Sequence, residues 1–179
     1  MNGVGTAIWN FLAAVQLWDF PTWVREGYIF NTFDTYYVLL AFHSLGMAVV
    51  VGVCFIISAR LFGYGQAFPL TEARRLIPLG WYGFGLNLIS GLILFAAQPR
   101  RELLTAVYDI KMIMIICACI TMVILGKVMR GVDLRAAADG TVIEVMPPQA
   151  RPLALFLTTF WLGAVATGRL IAFMQPPPL

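Results

Sequence analysis

Four runs of apolar residues decide what this chain can fold into, because a helix of about 20 such residues crosses the hydrocarbon of a bilayer. They cover roughly 33–59, 76–97, 104–126 and 153–174 of a 179-residue sequence. Strands of a membrane barrel are shorter and alternate in polarity, whereas these runs are apolar on every face, so they read as helices. The composition agrees: 60% of residues are hydrophobic and mean hydropathy is +0.83. Only 12% are charged, about half the share of a soluble domain. The expected fold class is an all-α membrane protein, which excludes a soluble enzyme. A net charge of +3 is too thinly spread for a nucleic-acid surface, which needs clustered Lys and Arg. The longest connection, 127–152, is too short for a soluble catalytic domain, so the chain is not expected to be an enzyme on its own.

Residues 1–30 read as an interfacial helix and linker, and 31–179 as a four-helix transmembrane bundle. Ile8, Phe11, Leu12, Val15 and Trp18 recur at helical spacing, with Thr6, Asn10 and Gln16 on the other side. This predicts an amphipathic helix over residues 4–19, lying on the bilayer surface and ended by Asp19-Phe20-Pro21. Trp9, Trp18 and Trp23 would sit among the headgroups, where indoles prefer to lie. No Lys or Arg precedes Arg25, so a secretory signal is not expected.

Loop cations orient the bundle. Arg60, Arg74, Arg75, Lys127, Arg130, Arg135 and Arg151 lie on one side, and Arg25, Arg100 and Arg101 on the other. The positive-inside bias then puts the first group in the cytoplasm and both termini in the periplasm of a bacterial inner membrane. Pro176-Pro177-Pro178 stops the last helix. The three cysteines, Cys54, Cys117 and Cys119, all fall within spans. Cys117 and Cys119 are two apart on a helix and point to different faces, so they read as buried free thiols.

Ionisable groups inside a membrane are costly and usually face the bundle interior. Here they are Asp34, His43, Asp109, Lys111 and Arg169, with Asn87 as the notable amide. All five fall in the outer half of the bilayer under the orientation above. Each has a plain structural reading: a neutral His43 bonded to a tyrosine or a carbonyl, snorkelling cations, and acids that cap or neutralise. The sharper expectation is one outer-half pocket of His43, Lys111 and Arg169, with Tyr36, Met47 and Asn87 as further candidates. An imidazole with two cations suits an anionic or carbonyl-bearing ligand, and haem b propionates or a quinone would both fit. If haem is bound, His43 is its iron ligand. With one histidine, bis-His ligation within a chain is impossible, and His-Met, five-coordinate or shared ligation stay open. Tyr36, His43, Met47 and Cys54 also share a helix face whose soft donors suit Cu(I), and Met residues at helical spacing are equally ordinary packing. Glycines such as Gly46, Gly80, Gly83 and Gly91 allow close helix approach, and Trp81-Tyr82-Gly83-Phe84-Gly85 reads as packing.

The motifs WVREG (23–27), SARLFG (58–63), WYGFGLNLISGLILF (81–95), YDIK (108–111) and WLGAVATGRLIAF (161–173) together resemble a family of small bacterial inner-membrane proteins described as a domain of unknown function. The likeness covers roughly 20–175, and its markers map to His43, Lys111 and Gly168-Arg169. It implies a four-helix membrane fold, loosely similar to copper-resistance membrane domains and cytochrome-b-type bundles, and no activity. Family members often carry an acid where Ser58 stands here.

Three functions follow. The first is a subunit of a redox complex that binds haem b or quinone and exchanges electrons with a periplasmic protein. The second is a structural or assembly subunit without its own cofactor, held among lipids and other membrane subunits or in a homo-oligomer. The third is copper or small-solute handling. The topology is directly testable: reporter fusions at Gly140 and Leu179 should report cytoplasm and periplasm respectively, and the reverse result would invert the molecule.

Overall fold

The structure is a computed structural model that describes residues 3–15, 17–29, 32–97, 99, 106–131, 133–136 and 142–173. Gln16, Arg100, Arg101, Pro176-Pro177-Pro178 and the side chain of Trp9 lie outside the described residues. In chain order the elements are α1 (Gly3–Val15), α2 (Asp19–Glu26), β1 (Tyr28–Ile29), β2 (Phe33–Asp34), α3 (Thr35–Leu61) and α4 (Leu70–Arg75). Then come α5 (Ile77–Ala97), α6 (Ala106–Val128), a 3-10 turn (Met129–Gly131), β3 (Asp133–Ala136), β4 (Val142–Val145) and α7 (Ala150–Phe173).

Four helical stretches are long and apolar enough to cross a membrane: Thr35–Leu61, Leu70–Ala97, Ala106–Gly131 and Ala150–Ile171. The protein is an all-α membrane protein. The second span starts earlier than the hydropathy suggests, because α4 runs almost directly into α5 with only Leu76 between them. The 127–152 connection carries a small antiparallel hairpin, with Asp133 opposite Val145 and Ala136 opposite Val142.

The helices run up and down. Call the end holding Thr35 and Ala97 the α2 end, and the end holding Leu61 and Ile77 the α4 end. α3 packs along α5, α6 along α7, and α3 also meets α7. α5 and α6 touch mainly through side chains: Ile77 against Gly126, Met122 against Gly80, and Phe95 stacked on Tyr108 with ring centroids 5.8 Å apart. The core lies between them, around Val50, Val53, Cys54, Ala118, Leu157 and Trp161. Trp81 and Phe84 join it edge-on, Phe84 meeting Trp161 at 6.4 Å, while Tyr82 points outward. Phe42, Leu45, Ile89, Ile113, Ile120 and Phe156 are exposed on the flanks, as they must be where the solvent is hydrocarbon.

The tightest contact is between α3 and α5. A Cβ on Gly46 would sit 2.6 Å from the Asn87 backbone nitrogen and 2.8 Å from the Gly83 carbonyl oxygen. One on Gly83 would come within 2.9 Å of the Val50 nitrogen. Without a hydrophobic drive between helices in lipid, such backbone proximity is what van der Waals attraction needs.

Two arginines complete the ends of these helices. Arg25 Nη1 donates to the Ala97 carbonyl at 3.1 Å, and Arg151 Nε to the Leu61 carbonyl at 3.3 Å. Both are terminal carbonyls without a partner in their own helix, which a cation at a C-terminus suits. Arg25 comes from α2, which the sequence reading treated as part of a linker. Pro21 does not end a helix there; it falls in the first turn of α2, where a missing N–H costs nothing. Pro21 and Val24 are buried, and α2 lies against α3 and α5. α1 is a helix close to the expected span, with Asn10 and Phe11 both exposed and Leu12 and Val15 half-buried.

Backbone atoms cannot yield as a flexible side chain can, so Gly46→Val should destabilise the bundle by about 3 kcal/mol, the upper end of typical overpacking. Gly52→Ala and Gly85→Ala, with no heavy atom within 4 Å, should stay within about 0.5 kcal/mol of the parent. Unfolding in mixed micelles with SDS measures all three; equal losses would remove the α3–α5 contact from its central place.

Candidate functional site

His43 lies roughly 12 Å into α3 from the α2 end, counted at 1.5 Å per residue. Its half-buried ring faces α5. Nδ1 is 2.9 Å from the Asn87 carbonyl oxygen, and Asn87 Nδ2 donates to the His43 carbonyl at 2.8 Å. The two residues therefore clasp α3 to α5 in both directions, one turn from the Gly46 contact. Gly91 makes the space: a Cβ there would stand 2.9 Å from Cε1 and 3.2 Å from Nδ1 of the ring.

The hydrogen-bond network assigns the tautomer. A carbonyl oxygen only accepts, so Nδ1 carries the proton. Ser90 Oγ lies 3.3 Å from Nδ1, but its own proton goes to the Leu86 carbonyl at 2.6 Å, so it too faces Nδ1 as an acceptor. In the neutral ring Nε2 is left with its lone pair, and among the described residues nothing hydrogen-bonds to it. A carbonyl that holds one ring nitrogen and frees the other is how proteins orient an imidazole for a ligand. It is also the plain structural bond that the sequence allowed for a lone histidine; that bond occupies only one of the two nitrogens.

Lys111 completes the layer. It enters from α6, and its Cε and Nζ lie 3.8 and 4.0 Å from the position a Cβ on Gly168 would take. His43 on α3, Gly91 on α5, Lys111 on α6 and Gly168 on α7 thus form one level, to which two helices bring a polar group and two bring a glycine. One turn nearer the α2 end, the Phe95–Tyr108 stack spans α5 and α6. Among the described residues Lys111 has no carboxylate partner.

The other candidates divide. Asn87 is buried and part of the clasp. Arg169 follows Gly168 on α7, but its side chain is exposed and has no ion pair among the described residues. Tyr36 rests edge-on against Tyr37 at 5.9 Å, about two turns above His43. Met47 is half-buried one turn below it. Asp34 caps α3, accepting from the Tyr36 N–H at 2.9 Å, and Asp109 stands exposed in the first turn of α6. Ser90 and Gly91 were not singled out as site residues. The face Gly80, Gly83, Asn87, Ser90 and Gly91 of α5 is the signal that finds them.

The donor set can be tested against each cofactor. The two axial ligands of a six-coordinate haem approach the iron from opposite sides. Met47, one turn along the helix that carries His43, cannot oppose it. Met114 is packed against Gly163 and Met122 against Gly80 and Val53. The residues present do not supply that second ligand. A shared Cu(I) site fails on distance, since Cys54 lies about 16 Å along α3 from His43. Cys54 sits in the core beside Trp161, whose indole N–H lacks an acceptor in hydrogen-bonding geometry among the described residues. No three His, Cys, Asp or Glu side chains converge among the described residues. A carbonyl-bearing ring asks less: one acceptor, one donor and apolar walls.

Comparison with protein-family models, curated proteins and solved structures returns no match. The resemblance to small inner-membrane proteins rests on the quoted motifs alone.

The tautomer predicts a spectrum. In protein carrying 15N-labelled histidine, Nδ1 of His43 should show a pyrrole-type and Nε2 a pyridine-type shift. Gly91→Ala should disturb both by displacing the ring. A protonated Nε2 with a bare Nδ1 would contradict the assignment.

Proposed function

We propose that the protein is a subunit of a redox complex in the bacterial inner membrane, and that it holds a quinone between His43 and Lys111. The observation that carries this is the Nε2 lone pair, left without a hydrogen bond among the described residues and fixed in direction by the Asn87 carbonyl, with the Lys111 ammonium at the same level of the bundle and without a carboxylate partner among them. A quinone supplies two-electron, two-proton chemistry when bound. The chain's own part is to hold it: Nε2 accepts from a quinol hydroxyl, and Lys111 Nζ donates to a quinone carbonyl oxygen. Both bonds are strengthened where water is excluded. Electrons then pass to or from a periplasmic partner protein.

The distribution of loop cations supports a periplasmic α2 end with both termini on that side. In that orientation α1 lies on the periplasmic surface of the bilayer, and exposed Arg169, near the end of α7, reaches the headgroups. A quinone is preferred to haem b because Met47, Met114 and Met122 are turned to other contacts, so a haem on His43 would be five-coordinate or shared between chains.

A second reading is favoured by one observation. The His43–Asn87 clasp joins α3 to α5 whether or not Nε2 has a ligand, as a cofactor-free structural subunit requires. His43→Asn separates the two readings. Its amide keeps a donor near the Asn87 carbonyl and removes the Nε2 lone pair. With an azido-quinone photolabel on purified protein in nanodiscs, the parent should label on α3 or α6. His43→Asn should reduce labelling at least tenfold while thermal stability holds, and Lys111→Gln should weaken it also. Undiminished labelling in His43→Asn would overturn the quinone site, and no labelling in any variant would leave the structural subunit.

A further inference from the structure

A second polar feature lies at the opposite end of the bundle and is independent of the quinone reading. Between the start of α5 and the end of α6 is a half-open cleft of about 470 Å³, lined by Arg74, Ile77, Pro78, Gly126 and Arg130. We propose that it binds the phosphodiester headgroup of an anionic phospholipid, with Arg74 and Arg130 on the phosphate and Ile77, Pro78 and Gly126 beneath the first carbons of the lipid.

Three observations carry this. First, the two guanidinium groups are available. At this end Arg75 pairs with Glu72 at 2.9 Å, Arg60 donates to the Phe68 carbonyl, and Arg151 to that of Leu61. Arg74 and Arg130 line the cleft with no carboxylate or carbonyl partner among the described residues. Two guanidinium forks facing one space match the geometry of phosphate oxygens.

Second, the polarity runs in the order of a phospholipid. Arg74, at the end of α4, stands just before Ile77 and Pro78 at the start of α5, and Arg130, in the turn after α6, stands just past Gly126, so charge and apolar floor line one space from both sides. On both walls the arginine is toward the helix end and the apolar surface one turn deeper. Free phosphate has no use for that floor.

Third, the floor continues into surface that lipid must cover. α5 and α6 meet here through Ile77 against Gly126 and Met122 against Gly80, not backbone to backbone. Leu79 and Val123, just below, are exposed. Basic pockets between membrane helices at the headgroup level recognise anionic lipids by this combination.

The test is native mass spectrometry of protein released from nanodiscs of phosphatidylglycerol or phosphatidylcholine. The parent should retain phosphatidylglycerol at least tenfold over phosphatidylcholine. Arg74→Gln/Arg130→Gln should erase the preference, and Arg75→Gln, next in sequence but paired with Glu72, should keep it. Gly126→Leu, which fills the floor without altering charge, should weaken retention of phosphatidylglycerol. Excess inorganic phosphate should fail to displace the lipid. Equal retention of the two lipids, an unchanged double variant, an equal loss in Arg75→Gln, or displacement by phosphate alone would each overturn the proposal.

Discussion

The polar clasp toward the α2 end of the spans, His43 with Asn87, depends on how closely α3 and α5 approach. Their backbones touch at Gly46 and Gly83, and at that distance a side chain from one helix reaches the peptide groups of the other. Asn87 and His43 exploit this, each donating to the other's main-chain carbonyl. A carbonyl inside an α-helix already accepts one bond but has a second lone pair, so the clasp takes nothing from either helix. With larger residues at 46 and 83 the helices would stand apart and both donors would be stranded in hydrocarbon, where an unmet polar group costs several kcal/mol.

The same economy governs the cations. Arg25 and Arg151 are spent on the terminal carbonyls of α5 and α3, one at each end of the bundle. Because these helices are antiparallel, their C-termini lie at opposite ends, and each needs a donor from a different element. Once Arg75 and Arg60 are also committed locally, the basic groups without a partner among the described residues include Lys111 and Arg169 toward the α2 end and Arg74 and Arg130 toward the α4 end. Position in the bundle, not charge alone, separates a cation that holds the fold together from one available to a ligand.

The fold was legible because hydrocarbon imposes length: residues such as 35–59 and 106–126 had to be helices, and their order gave the up-and-down bundle; Phe33 and Asp34, counted with the first span, instead pair in β2 ahead of it. The depth of His43 and Lys111 was legible for the same reason, since counting residues from a helix end gives height. Direction around the helix was not. A span that is apolar all round carries no polar face to orient it, so nothing in the sequence separated Lys111, whose stem turns to Gly168, from exposed Arg169. α2 is hard to see in the sequence because a proline at position 21 marks a helix stop and a helix first turn equally well. Asn87 drew notice as an amide in a membrane, but Gly91 became meaningful only once the His43 ring was seen to need its space.

Between the two polar regions the bundle is closed to charge. Passing from His43 toward the α4 end, the buried side chains include Val50, Val53, Cys54, Ala118, Met122, Leu157 and Trp161. The buried hydroxyls there are satisfied locally, Thr121 by the Cys117 carbonyl at 2.7 Å and Ser58 by that of Ala154 at 3.3 Å. Among the described residues no chain of titratable side chains crosses this layer. His43 lies nearer the α2 end, on the side of Lys111 and the Phe95–Tyr108 stack, so under the proposed quinone site a proton taken at Nε2 has its shorter way out at that end.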